Sequence, residues 1–296
     1  MNIYDCFMYF DEDLLLDIRL NMLNSHVEKF VITEAAYTHS GVKKNLKFDI
    51  DKFKKFKDKI KYIIVDKPPK NLLELNKEDH ENKRSEKIIL NACARENYQR
   101  EKLLDGLKSA SNDDLIIIGD LDEIPNLLGV NFKNINNKII IFQQKLLCYK
   151  LNLLYEDFIW HGSKACKKKH LISPQWLRNV KHKKYSKWRL DLIFSKNKFN
   201  DIYYVENGGW HFTYLKSPEE LEKKLLNFLH HHEFEKSGLS LDDLKRFIKE
   251  KRIVYDYKAD QRGYKWSGNT KLKTITDKEL PEYIYLNKSK YSNWLD

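Results

Sequence analysis

No run of apolar residues approaches the ~20 that a membrane-spanning helix needs. The first residues, Met1-Asn2-Ile3-Tyr4-Asp5-Cys6, lack a basic region followed by an apolar one, so no signal peptide is expected. Cysteine is scarce. Cys6, Cys93, Cys148 and Cys166 are widely spaced and form no Cys-x-x-Cys pair. That argues against a zinc site or a disulfide framework and for reduced thiols in a cytoplasm. Acidic residues are missing altogether between Phe158 and Leu190, a stretch that holds Lys164, Lys167, Lys168, Lys169, Arg178, Lys181, Lys183, Lys184, Lys187 and Arg189. Such a stretch either attracts phosphates, anionic lipid headgroups or nucleic acid, or is a solvated loop in a lysine-rich chain of net charge +11. No repeat and no low-complexity linker divides the 296 residues. With 42% hydrophobic residues the chain can bury a real core. We read 1–254 as the main domain and 255–296 as a tail packed on it.

What the sequence does have is an abrupt change at Ile116-Ile117-Ile118-Gly119-Asp120-Leu121-Asp122-Glu123-Ile124-Pro125. The apolar run is β-branched and too short for a helix, so it reads as a buried strand of a parallel sheet. Carboxylates just past the end of such a strand sit at the rim where open α/β sheets bind ligands. Asp120 and Asp122 can both turn toward one hard cation, and Mg²⁺ or Mn²⁺ commonly bridges one or two carboxylates to substrate phosphates. Asp-x-Asp is the usual signature of transferases that use nucleotide-sugars; alone it also arises by chance in acidic turns.

Around this strand the pattern is β-α-β-α-β-α-β. Ile3 to Phe10, Lys29 to Thr33 and Lys61 to Val65 read as strands, and Leu14 to Asn24 and Lys83 to Ser109 as helices. That order predicts an α/β protein with a mostly parallel central sheet flanked by helices. Later, Ile139 to Phe142, Leu146 to Tyr155, Leu192 to Phe194 and Ile202 to Val205 read as strands. Helices are expected over Pro218 to Lys236 and Leu241 to Arg252, the first opened by Ser217-Pro218-Glu219-Glu220. The C-terminal part is therefore helical, and the tail has no clear period.

Three segments together resemble glycosyltransferase family 17, which includes the enzyme that adds the bisecting N-acetylglucosamine to N-glycans and many bacterial and viral members. The first runs from Asp5-Cys6-Phe7 through Glu34 to Thr38-His39-Ser40-Gly41. The second is Glu96-Asn97-Tyr98-Gln99-Arg100, then Gly106, then Gly119-Asp120-Leu121-Asp122-Glu123-Ile124-Pro125. The third is Gly208-Gly209-Trp210-His211-Phe212 followed by His231-His232-Glu233-Phe234. The resemblance implies a GT-A-like fold and transfer of a sugar, N-acetylglucosamine by family association, from a UDP-sugar to a hydroxyl of a glycan acceptor, with inversion. The animal Golgi enzyme's N-terminal membrane anchor is not matched, so its compartment and its glycoprotein acceptor do not carry over.

These expectations give residues roles. Asp122 is the direct metal ligand, and Asp120 holds the ribose or a metal-bound water. Glu123 either supports them or merely opens the turn closed by Pro125. His211 resembles the late metal histidine of many GT-A enzymes; the alternative is a core histidine beside Trp210. Glu34 is a candidate for the uracil or ribose, or an exposed acid. Arg95, Asn97 and Arg100 lie on a helix resembling one that precedes Asp-x-Asp in GT-A enzymes, where an arginine pairs with the diphosphate. Gly208, Gly209 and Trp210 are expected at the nucleotide-sugar, with the glycines permitting close backbone approach. Inversion needs a carboxylate base near the acceptor hydroxyl; Glu206, Glu156, Asp157 and Asp191 are the candidates. Trp160, Trp176, Trp188 and Trp210 either stack on sugars or fill the core. His230-His231-His232 cannot all reach one ion from a helix, and His231 with Glu233 matches the family's His-x-Glu pattern.

The rival readings are a metal-dependent phosphoryl-transfer enzyme or nuclease, and a catalytically silent glycan-binding protein of the same fold. Nucleic-acid binding would rest on charge alone and is not expected. The expected location is the cytoplasm, with a lipid-linked acceptor and a peripheral contact to anionic membrane as further possibilities for the basic stretch.

Overall fold

The computed structural model describes residues 1–186, 188–189, 191–227, 231–259 and 264–296. Four N-terminal strands lie side by side and parallel: β1 (Ile3–Met8), β2 (Lys29–Ala35), β3 (Ile60–Val65) and β4 (Leu115–Ile118), in the order β3-β2-β1-β4. The connections carry α1 (Asp13–Leu23) and α2 (Glu81–Glu101). Every residue of β4 is buried, as a β-branched strand covered on both faces must be. Helix α1 turns Leu16, Leu20 and Leu23 into the main core, together with Leu15 and Ile18. Parallel strands end on one edge, so the loops after β1, β2 and β4 meet at one rim.

The second half adds β5 (Glu123–Pro125), β6 (Ile139–Cys148), β7 (Leu153–Lys167), β8 (Ile202–Val205), β9 (Gly209–Thr213) and β10 (Lys273–Thr274). β7 runs antiparallel between β4 and β6; β8 and β9 run parallel to β6; β5 closes antiparallel on β9. The result is one curled, mostly parallel ten-stranded sheet flanked by helices, a GT-A-like architecture. The remaining helices are α3 (Pro174–Asn179), α4 (Asp191–Phe194), α5 (Pro218–Asn227), α6 (His231–Ser237), α7 (Leu241–Lys249) and α8 (Glu282–Leu286). Among the described residues no helix is long and apolar enough to cross a membrane.

The structure departs from the sequence reading in four places. The strand expected over Leu146 to Tyr155 is split by a turn: its first residues end β6 at Cys148 and its last open β7, which runs from Leu153 through Lys167. The start of the acid-free stretch is therefore a central strand flanked by β4 and β6, not a loop. Leu192 to Phe194 form a helical turn rather than a strand. Helix α2 ends at Glu101, eight residues short of Ser109, and a 3₁₀ turn carries the chain to Gly106. There the backbone packs so close to β2 that a Cβ on Gly106 would lie 2.3 Å from Val31 Cγ1. The expected helix from Pro218 to Lys236 comes as the two elements α5 and α6. His230 and Lys187 lie outside the described residues, as do the side chains of His231 and His232.

The C-terminal segment is woven into two of the hydrophobic cores. Ile275, Leu280, Ile284 and Tyr291 are buried in the main core. Ile253, Val254, Trp266 and Leu272 pack with Tyr149, Tyr155, Leu221, Phe234 and Phe247 in a second one.

Candidate active site

The turn after β4 is fixed from beneath. Arg19 of α1 is fully buried and donates Nη1 to the main-chain carbonyls of Asp120 (2.7 Å), Leu121 (3.1 Å) and Glu123 (2.9 Å). Its charge is matched by a bidentate pair with Asp5 of β1, at 2.8 and 2.7 Å. Glu123, also fully buried, accepts from the Asp120 backbone N–H (3.0 Å) and from Trp160 Nε1 (2.8 Å).

The Asp120 carboxylate is held between two guanidiniums. Arg100 Nη2 reaches one oxygen at 3.1 Å and Arg178 Nη2 the other at 2.9 Å. Burial alone would raise the Asp120 carboxyl. The nearby Arg178 and Arg100 outweigh it and hold the group well below the usual carboxylate range. Arg178 also pairs with Glu123 at 2.7 Å, so one planar cation joins both acids.

Helix α3 places Arg178. Ser173 caps its start and Pro174 occupies the first turn. Glu101 at the end of α2 accepts from Ser173 Oγ (2.6 Å) and the Gln175 N–H (3.0 Å), a carboxylate at a helix N-terminus. At the other end Lys164 of β7 donates to the carbonyls of Arg178 and Val180. Arg178 was legible only as one cation in a basic stretch. No local pattern marks it, because its role depends on where α3 docks.

Asp122 meets His211 through the pairing of β5 with β9. Glu123 lies opposite His211, and the Phe212 N–H donates to the Asp122 carbonyl at 2.8 Å. Asp122 Oδ2 then stands 3.5 Å from His211 Nε2. Burial opposes ionisation of Asp122, but His211 and Lys224 prevail, and its carboxyl titrates below the ordinary range. His211 Nδ1 is buried without an internal hydrogen-bond partner.

Asp120, Asp122 and His211 open onto a cavity of about 430 Å³ at the rim. Tyr9, Phe10 and Glu12 come to it from the loop after β1, and Tyr37 and His39 from the loop after β2. Glu96 and Gln99 of α2, Trp160 of β7, Lys224 of α5, and Tyr255 and Tyr257 complete much of its wall. Burial pulls the His39 imidazole below its usual value and so favours the neutral ring. Burial also works against the Lys224 ammonium, yet Glu12 and Asp122 raise it above its usual value. Tyr37 Oη, like His211 Nδ1, is a buried polar atom with no partner within the protein.

The other expected site residues fall elsewhere. Glu34 is fully buried, and its carboxylate is taken up by Lys44, Tyr62 and the N–H groups of Lys47 and Phe48, which order the loop after β2. Arg95 donates to the His39 carbonyl at 3.0 Å and so holds the His39 loop instead of facing the cavity. Asn97 is half-buried on α2 outside the lining. Arg100 is buried beneath Asp120 and acts through it. Gly208 and Gly209 serve packing: a Cβ would lie 2.6 Å from the Val205 carbonyl at Gly208 and 2.1 Å from the Ile124 carbonyl at Gly209, whose φ is +125°. Trp210 alternates with His211 along β9 and packs on the main core. None of the four expected bases lines the cavity. Glu156 pairs with Lys273, Asp191 with Arg189 and Lys198, and Glu206 and Asp157 are exposed. The carboxylates that do line it, besides Asp120 and Asp122, are Glu12 and Glu96.

The model of glycosyltransferase family 17 matches residues 1–295. The chain belongs to glycosyltransferase family 17. As a family 17 protein it is an enzyme that transfers a sugar from a donor to an acceptor, which replaces the phosphoryl-transfer, nuclease and silent-scaffold readings. No curated protein matches this family 17 chain. Among solved structures, HddC from Yersinia pseudotuberculosis complexed with GMP-PN aligns with 79% of it and with 99% of its own chain, at 12% identity and a TM-score of 0.30. That likeness is too distant to bear on the site.

Proposed function

We propose that the protein moves a sugar, N-acetylglucosamine by family association, from a UDP-sugar to a hydroxyl of a glycan acceptor, with inversion and with Mn²⁺ or Mg²⁺. The observation that carries this reading is the cavity at the strand rim where Asp122 faces His211. Both oxygens of Asp120 are engaged by arginines, so Asp120 is a poor direct ligand in this arrangement. Asp122 and His211 remain, one oxygen and one imidazole donor. That pair suits a divalent ion that takes its other ligands from phosphate and water. When bound, the ion would offset the charge gathering on the leaving diphosphate.

The protein's own groups do the rest. The loops after β1 and β2 bring Tyr9, Phe10, Tyr37 and His39 to the end of the cavity where an open α/β sheet takes a nucleotide. Asp120, kept ionised, is an acceptor for a ribose hydroxyl or a bound water. Lys224 adds a positive charge beside Asp122. Of the two further carboxylates, Glu96 is tied to Arg100 at 2.6 Å. Glu12 is held more loosely, 3.5 Å from Lys224, and is the carboxylate assigned to take the acceptor proton.

A thermal-shift screen of UDP- and GDP-sugars, with and without Mn²⁺, tests the reading. A ligand at a hundredfold excess over its dissociation constant stabilises a fold by ~2.7 kcal/mol. The expected result is stabilisation by a UDP-sugar that Mn²⁺ enhances. Glu12→Gln should then keep the shift and lose turnover. Stabilisation by GDP-sugars alone, or shifts indifferent to Mn²⁺, would overturn the donor or the metal.

A further inference from the structure

One wall of the cavity is a rank of aromatic rings that leads away from His211. Trp160 stands 4.5 Å from the His211 ring, Tyr257 stands 5.5 Å from Trp160, and Tyr255 is 5.0 Å from Tyr257, all between ring centres. All three rings line the cavity and keep part of their surface open to it. Hydroxyl groups accompany them. Thr213 and Tyr214 belong to the same wall, and the Tyr214 and Tyr257 hydroxyls are 3.4 Å apart.

The rank is held rigidly. Trp160 is tethered to Glu123. The Val254 N–H donates to Tyr149 Oη at 2.7 Å, the Asp256 N–H to the Lys265 carbonyl at 2.7 Å, and Thr270 Oγ1 to Asp256 at 2.8 Å. Tyr214 sits in the left-handed region at φ +61°, a cost that surrounding structure must maintain. Tyr255 and Tyr257 pack against the second core and at the same time line the cavity, so they do more than fill that core. The loops after β1 and β2 bring Tyr9, Tyr37 and His39 to the same cavity. Trp160 adjoins the reacting centre, and Tyr257 and Tyr255 lie one and two rings farther out.

We propose that Tyr255 and Tyr257, with Trp160 beside them, seat the pyranose ring of the acceptor. The C–H face of a pyranose is weakly positive and apolar, and it suits the negative face of an aromatic ring. The neighbouring hydroxyls of Thr213 and Tyr214 orient the sugar's own hydroxyls, as sparse polar groups do in aromatic pockets. This deepens the glycosyl-transfer reading and rests on it for the chemistry. It also gives the segment around residue 255 a part in the active site.

Saturation-transfer NMR with the methyl β-glycosides of glucose, galactose, mannose and N-acetylglucosamine, with and without UDP, tests it directly. At least one glycoside should take up saturation at its ring C–H protons. Tyr255→Leu and Tyr257→Leu, singly and together, should cut that signal about fivefold, the scale of one aromatic stacking contact. Tyr255→Phe and Tyr257→Phe should preserve it. If the double variant melts early, the single variants carry the same comparison. No saturation from any glycoside in the wild type, or equal saturation in the leucine variants, overturns the subsite. Kinetics separate the two proposals. Turnover with an acceptor KM unmoved in the leucine variants would overturn the subsite and leave the transfer reading standing. Ring-proton saturation lost in those variants, in a protein that turns over no nucleotide-sugar, would do the reverse.

Discussion

Arg19 Nη1 donates to the main-chain carbonyl of Asp120 at 2.7 Å, from a side chain with no solvent exposure. Through this contact and those to Leu121 and Glu123, helix α1 sets the path of the acidic turn. Asp5 neutralises the guanidinium that does it. Removing one partner of a buried pair leaves the other charge uncompensated, at about 3–5 kcal/mol. Arg19→Met should lose stability on that scale, measured as a drop in the urea midpoint. Adding Asp5→Asn should restore part of it. An Arg19→Met variant as stable as wild type would show that the turn is held by something else.

The metal reading gives opposite outcomes for two substitutions. Asp122→Asn should keep the fold while lowering turnover at least about a hundredfold, the usual scale for losing a group that stabilises developing charge. It should also remove the Mn²⁺-dependent part of nucleotide binding. His211→Ala should weaken Mn²⁺ affinity more than it lowers the melting temperature. If His211 is instead a core residue, the variant will melt early and bind Mn²⁺ normally once folded. A metal titration paired with a melt decides.

The fold was legible where local pattern and burial coincide. The β-branched residues of β4 could be buried only in a covered sheet, and Asp120 and Asp122 follow it at the rim. What escaped was much of what register and docking set. His211 was expected near Asp122 only through the family resemblance; the structure brings the two together because Glu123 pairs opposite His211 on β9, a register that spacing in the chain does not encode. β7 was hidden because Lys164, Lys167 and their neighbours look like loop, yet Lys164 is buried with its ammonium on backbone carbonyls. Tyr255 and Tyr257 sit in a segment without helical or strand period, so nothing in the sequence assigned them a face. The carboxylates proposed as bases had plausible positions along the chain, but Glu156 and Asp191 are spent on surface lysines and arginine.

Lys164 predicts a pH dependence. Burial, reinforced by Arg178, brings its ammonium down to about 7. In the unfolded chain a lysine titrates near ~10.4. Between these values the unfolded state holds a proton that the folded state has released, so unfolding free energy rises with pH. Below about 7 both states are protonated and the burial penalty is full. Urea unfolding at steps from pH 6.5 to 10 should therefore show stability increasing with pH, and Lys164→Met should flatten this component. A wild-type profile that is level or falling, or a slope unchanged in the variant, would rule it out.

The basic stretch divides in the structure, and the division sharpens its test. Lys164 serves α3, Lys168 donates to the Ala110 carbonyl, and Lys169 pairs with Asp113, so these are engaged within the protein. Lys181, Lys183 and Lys184 remain on the surface with Trp188, 92% exposed, and Phe194, 87% exposed, close by in the chain. Aromatic rings beside lysines suit the boundary between headgroups and acyl chains. Anionic lipid attracts each such lysine by about 1 kcal/mol, and salt screens the attraction within a Debye length. Sedimentation with vesicles of phosphatidylserine and phosphatidylcholine should show binding that falls as salt rises. The triple change Lys181→Glu, Lys183→Glu and Lys184→Glu should abolish it, and Trp188→Ser should weaken it even at low salt. Donor hydrolysis should survive both, since none of these residues lines the cavity. Equal vesicle binding by wild type and the triple variant would make this surface a solvated loop and point to an acceptor free in solution.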